Sequence, residues 1–322
     1  MRRKDLSVPR YGVRAPTSAP DDPLQDLRNY AARMPRGAVF CGTSAARIYG
    51  LPLPQPKKPT DYEQFFGIST SPDGPYVQHI DDDEPELAKP IHVGVAANRP
   101  QPVAKGVTGR RLAAALLPGT TFDGLPVLSP LATFFSCCRE LSVTDAVVML
   151  ESLLTDKEIY PGLRIAKRPV HRLQHFTRGL AGLERTVGVT VARGAIYRAR
   201  LRVASPMESR LRLLLVDAGL PEPEINVPVL DGDGNLVAQV DLLYRDARLI
   251  IEYEGDGHRT DAKTFRRDLE RERRLRARGF EYVRVTVEAM RNGGRALVAD
   301  LRRQLADRIR TLSSQTDGNR HV

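Results

Sequence analysis

The clearest hydrophobic pattern lies in the last third of the chain. Leu211, Leu214, Leu215 and Ala218 recur at helical spacing behind Ser205-Pro206-Met207-Glu208, which has a capping serine, a proline at the first helical position and an acid three residues after the cap. Gly219 ends that helix. The period then shortens to two: Ile225, Val227 and Val229 alternate with their neighbours, Asp231-Gly232-Asp233-Gly234-Asn235 predicts a turn, and a strand follows from Leu236 to Tyr244. A second turn, Arg245-Asp246-Ala247-Arg248, leads into the strand Leu249-Ile250-Ile251-Glu252-Tyr253-Glu254. Helical spacing returns from Ala262 to Arg278 and stops at Gly279; a strand is predicted at Glu281 to Val285 and a last helix at Arg295 to Arg310. The resulting αβββαβα order predicts an α/β chain of the α+β kind, with a mixed sheet flanked by helices.

The preceding residues carry weaker periodicity. Residues 1–26 are proline-rich and read as a flexible leader. Residues 27–200 read as a mainly helical N-terminal domain with room for a winged helix. Thr43 or Ser44 caps a short helix that Gly50 and Pro52 end, Ile91 to Val95 forms a strand, Ser129-Pro130 starts a buried helix, and Asp145 to Leu154 is helical. The run Asp81-Asp82-Asp83-Glu84 reads as a solvated loop. The second domain spans 205–310, and 311–322 reads as a disordered tail.

Composition adds constraints. A chain of 322 residues with 41% hydrophobic and 27% charged residues suits two folded domains. No stretch approaches the roughly 20 apolar residues of a spanning helix, so no membrane partner is expected. Three cysteines, Cys41, Cys137 and Cys138, lack metal-type spacing and fit a reducing compartment, so the expectation is a cytoplasmic protein. A net charge of +10 favours a polyanionic partner such as DNA.

The candidate chemistry sits on the hairpin. A two-residue loop at Asp246-Ala247 pairs Tyr244 with Leu249 and, counting outward, Asp241 with Glu252. Facing side chains then lie within about 5.5 Å, and alternation puts Glu254 on the same face as Glu252, with Gln239 opposite it. Like charges so placed repel, so the patch needs a divalent cation, basic neighbours or raised pKa values. Mg2+ and arginines from the following helix are equally good neutralisers at this point, and a slip of one residue would separate Asp241 from Glu252.

Asp241, then Ile251-Glu252-Tyr253-Glu254-Gly255-Asp256-Gly257-His258-Arg259, Arg267-Asp268-Leu269-Glu270-Arg271, Gly279-Phe280 and Val283-Arg284-Val285, resembles the DUF559 domain family, related to very-short-patch repair endonucleases. The resemblance covers about Ser205 to Leu305. It implies the PD-(D/E)xK, restriction-endonuclease-like fold and a Mg2+-dependent DNA endonuclease, Mn2+ substituting. Asp241, Glu252 and Glu254 would be metal ligands, with Glu208 approaching from the first helix. Glu254 stands where many members of the wider superfamily carry a lysine.

Thr43-Ser44-Ala45-Ala46-Arg47-Ile48-Tyr49-Gly50-Leu51-Pro52, with Gly124-Leu125-Pro126 and Ser129-Pro130-Leu131-Ala132-Thr133, is similar to AbiEi-type antitoxin regions. That resemblance implies a regulatory region binding DNA or a protein partner such as a toxin. Within the site, His258 or Glu254 would accept a proton from the attacking water, while Arg259, Arg267, Arg271, Arg274 and Arg284 would meet DNA phosphates. His258 as a structural residue, Glu208 as a capping acid and each arginine as a solvated charge remain open alternatives. The competing function is a non-catalytic DNA-binding regulator of antitoxin type that keeps the nuclease fold.

Overall fold

The computed structural model describes residues 6–10, 13–16, 22–54, 90–254 and 262–318. Mixed sheets and helices make the protein α+β. Among the described residues, one compact unit comprises those up to Ala199 and a second those from Arg200 onward.

In the first unit, β1 (Leu6–Arg10) and β2 (Val13–Pro16) pair antiparallel where a flexible leader was expected. Prolines allow this because a two-stranded ribbon asks only alternate backbone groups to pair across it. A mainly helical region with a winged helix was expected next. Helices do predominate there among the described residues, and with them a six-stranded sheet forms, ordered β5-β6-β4-β3-β8-β7. Its strands are β3 (Val39–Phe40), β4 (Ile91–Ala96), β5 (Val103–Ala104), β6 (Val107–Leu112), β7 (Thr120–Phe122) and β8 (Leu125–Val127). The centre is β4, buried from Ile91 to Val95, and a strand covered on both faces reads as a continuous run without alternation.

The helices of this unit are α1 (Gln25–Ala31), α2 (Gly42–Tyr49), α3 (Pro130–Cys137), α4 (Val143–Leu154), α5 (Leu173–Gly179) and α6 (Val189–Arg198). Ser129 caps α3 by accepting from the Ala132 N–H at 3.2 Å, as the sequence predicts. Neither Thr43 nor Ser44 caps α2. The N-cap is Cys41, and the Ser136 hydroxyl of α3 takes the Gly42 N–H at 2.8 Å, a tertiary substitute for a local cap. Gly50 closes α2 at φ +67.

The second unit follows α7 (Pro206–Asp217), β9 (Glu224–Leu230), β10 (Leu236–Tyr244), β11 (Leu249–Tyr253), α8 (Ala262–Arg276), β12 (Glu281–Val285) and α9 (Arg295–Gly318). Strands β9, β10 and β11 form an antiparallel meander, and β12 joins β11 in parallel, giving the order β12-β11-β10-β9. Two cores result. Leu242, Tyr244, Leu249 and Ile251 pack with Leu211 and Leu215 of α7 and Leu301 and Leu305 of α9, while Leu243 and Ile250 pack with Leu275 of α8 and Tyr282. Helix α9 continues past Arg310, through the expected disordered tail, to Gly318. No breaker intervenes there, and the Thr311 and Ser314 hydroxyls donate back to the carbonyls of Asp307 and Arg310 at 2.9 Å each.

Candidate functional site

The site is set by the β10–β11 register. Tyr244 pairs with Leu249, Leu243 with Ile250 and Leu242 with Ile251, so the next step outward brings Asp241 opposite Glu252. Beyond the last ladder pair, the Asp241 carboxylate takes over as acceptor, with Oδ2 receiving the Tyr253 N–H at 3.0 Å. By alternation, Asp241 and Glu252 share the face of Leu243 and Ile250, which α8 covers.

Glu208 comes from the first turn of α7. Ser205 Oγ accepts the Glu208 N–H at 3.2 Å, the serine half of the expected capping box. The glutamate half is redirected: Glu208 Oε2 accepts from the Ala204 N–H at 3.0 Å and from Asn226 Nδ2 of β9 at 2.7 Å. Glu208 is therefore a buried link between α7 and the sheet. Asn226 reaches it from a left-handed backbone at φ +48, a conformation asparagine tolerates better than most residues.

These carboxyls act on each other. Burial, then the charges of Glu208 and Glu252, push Asp241 up to about 8, against the opposing pull of the Tyr253 hydrogen bond and Arg271. Glu252 is held by Arg271 of α8, whose Nη1 donates to Oε2 at 2.9 Å and whose Nη2 donates to Oε1. The Tyr282 hydroxyl donates to the same Oε2, and Arg271 Nη2 also reaches the Gln239 carbonyl. Burial and the Glu252 charge raise the Tyr282 phenol well above its usual value, so it stays a donor.

The structure thus brings Asp241, Glu252 and Glu208 together, and Glu254 is turned differently. Its carboxylate faces Arg284 at 3.7 Å, and Arg284 donates to Glu272 of α8 at 2.8 Å. Arg271 and Arg284, expected to meet phosphates, are engaged by carboxylates, whereas Arg267 and Arg274 are exposed on α8. His258 and Arg259 lie outside the described residues, as does the Asp81–Glu84 run. Among the described residues, no group of three or more His, Cys, Asp and Glu side chains has the spacing of a metal site.

Sequence reasoning did not single out Asn226, and it gave Tyr282 no role in the site. For Tyr282 a signal exists, since the parallel pairing Ile250 with Tyr282 and Glu252 with Arg284 sets the phenol on the acidic face.

The first unit holds another polar cluster, around buried Arg110 and His92. Burial, then the charges of Arg110 and Arg139, lower His92 to about 3, so it is neutral and Glu140 pairs with Arg110. Thr43 Oγ1 and His92 Nδ1 are 3.1 Å apart, and Ser44 Oγ accepts the His92 N–H at 2.9 Å. Its contacts fasten α2 to β4.

No family model matches the chain, and no solved structure matches it. The chain is similar to two proteins of Mycobacterium tuberculosis, the uncharacterized protein MT2308 of strain CDC 1551 and the uncharacterized protein Rv2248 of strain H37Rv. Each is 29% identical over 188 residues, 58% of this chain. The matched stretch spans 64% of the length of each relative. No helix among the described residues is long and apolar enough to cross a membrane.

Proposed function

We propose that residues 205–310 are a Mg2+-dependent DNA endonuclease domain of the very-short-patch repair-like, PD-(D/E)xK kind, working in the cytoplasm behind an AbiEi-like regulatory region. The observation that carries this reading is the opposition of Asp241 and Glu252 across the β10–β11 pair beside Glu208, with Asp241 pushed up to about 8. A partly buried acidic cluster with one strongly perturbed member is a common signature of a functional site.

The donor set suits Mg2+ or Mn2+. It is entirely oxygen, Mg2+ commonly takes only one or two carboxylates, and a cation between Asp241 and Glu252 would relieve the repulsion that favours the protonated acid. Asp241 and Glu252 would hold the ion, with Glu208 adjacent. When bound, the ion would supply Lewis acidity to the scissile phosphate and to the attacking water.

The protein's own groups do the rest. The Tyr253 N–H aims Asp241 Oδ2, and the Tyr282 phenol orients Glu252. Glu254 or His258 would take the proton of the attacking water as its oxygen bonds to phosphorus and the P–O bond of the chain breaks. Arg267, Arg274 and Arg259 would grip flanking phosphates.

The test is incubation of the full chain with supercoiled plasmid and Mg2+ or Mn2+. Nicking is expected, and Asp241→Ala and Glu252→Gln should abolish it. No nicking of any duplex or single strand, or full activity in Asp241→Ala, would sink the assignment.

One observation favours a second reading. Arg271 already neutralises Glu252 with a two-pronged ion pair, which fits a non-catalytic DNA-binding regulator of antitoxin kind that engages a toxin partner. Calorimetry discriminates: such a protein takes up no Mg2+ or Mn2+ that Glu252→Gln removes.

A further inference from the structure

Resting on the metal-dependent reading above, we infer that Arg271 is a displaceable internal cation that couples DNA binding to metal binding. Its guanidinium engages both oxygens of Glu252, the same donors a metal would use, with one nitrogen on each. Metal and Arg271 therefore compete for Glu252.

The geometry gives Arg271 an alternative anion. Arg267, Arg271 and Arg274 are spaced by four and three residues, so they form one stripe along α8, and Arg278 follows in the turn after the helix. Arg267, Arg274 and Arg278 are exposed, while Arg271, with 26% of its side chain exposed, is the member that dips towards Glu252. Other arginines of this region are committed differently: Arg273 to Glu270, and Arg276 and Arg284 to Glu272. A DNA backbone gripped by the stripe presents phosphates beside Arg271.

Guanidinium recognises phosphate and carboxylate with the same two-pronged geometry, so exchanging one for the other conserves most of its hydrogen bonding. Glu252 left bare beside Asp241 would be unfavourable until a cation replaces Arg271. Phosphate capture and metal entry therefore favour one another, and by linkage each raises the other's affinity by the same factor. The domain thus holds its acidic site at a lower metal affinity until DNA is present. Tyr282 remains on Glu252 throughout and holds the carboxylate in position.

The experiment titrates Mn2+ into the full chain by calorimetry, with and without a short DNA duplex carrying non-cleavable phosphorothioate linkages. Wild type should bind Mn2+ at least about fivefold more tightly with the duplex, within the usual range of such couplings. Arg271→Ala should bind Mn2+ as tightly without DNA as wild type does with it. Arg271→Lys, which keeps a charge but not the fork, should fall between, and unchanged circular dichroism of both variants would establish folding.

Equal Mn2+ affinity of wild type with and without duplex, abolished by Glu252→Gln, would overturn the coupling and leave the metal site standing. An Arg271→Lys variant that binds DNA-free Mn2+ no better than wild type would overturn it too. Absence of Mn2+ binding in every protein, Arg271→Ala with duplex included, would remove the metal reading and the coupling together.

Discussion

At the scale of the residue, Asp241 meets opposing demands. It is half-buried beside Glu208 and Glu252, which penalises its charge, yet its Oδ2 accepts the Tyr253 N–H, a bond that favours the ionised form. Burial and like charge win, and its value rises from 3.8 to about 8. A carboxyl raised on folding binds more protons in the folded than in the unfolded state between those two values. Its stabilising contribution is therefore complete at low pH and is lost as pH climbs from about 4 to about 8. Asn in its place keeps an acceptor for Tyr253 and cannot ionise. Each pH unit of displacement corresponds to about 1.4 kcal/mol, so in EDTA the Asp241→Asn protein should melt several degrees above wild type at about pH 9 and gain little at about pH 4. Adding Mg2+ at the higher pH should raise the melting temperature of wild type alone. Parallel melting curves across this range would mean that Asp241 ionises freely, without the burial described.

At the scale of the element, legibility followed how local the information was. The β10–β11 hairpin was readable because a short polar turn and flanking apolar residues fix its register, and Tyr244 pairs with Leu249 as counted from the sequence. The caps at Ser129 and Ser205 were readable for the same reason. The site was legible in part: Asp241 and Glu252 meet as predicted, but the inward turn of Arg271 was not distinguishable among the arginines of α8, since only the sheet beneath the helix selects it. In the N-terminal sheet β4 was readable at Ile91 to Val95, but the sheet around it was hidden because β3, β5, β7 and β8 are only two or three residues long. Gly50 illustrates the same limit. Its role as helix terminator is legible, but its second constraint is tertiary: a Cβ there would run into the Gly162 carbonyl. Gly50→Ala should therefore lower stability by more than the roughly 1–2 kcal/mol of a left-handed alanine alone, measured by urea unfolding. A loss below about 1 kcal/mol would mean that the 162 segment yields freely.

At the scale of the whole molecule, the +10 charge predicts affinity for any polyanion, but charge alone does not say which surface is used. The ion pairs of α8 and its neighbours narrow the choice. Arg276 is committed to Glu272, so it has little to gain from a phosphate, whereas Arg267 and Arg274 are exposed on the stripe that leads to Arg271. Each arginine that neutralises a phosphate releases counterions and steepens the salt dependence of binding by about one logarithmic unit per decade of salt. Fluorescence anisotropy of a labelled duplex over a salt series should show that slope reduced by about 1 in Arg274→Ala and again by about 1 when Arg267→Ala is added, independent of duplex sequence. Arg276→Ala should leave the slope unchanged, because removing a cation already paired within the protein releases no additional counterion from DNA. Should the double variant keep the wild-type slope, DNA would be held by another basic surface, and α8 would owe its arginines to its own carboxylates and to Glu252.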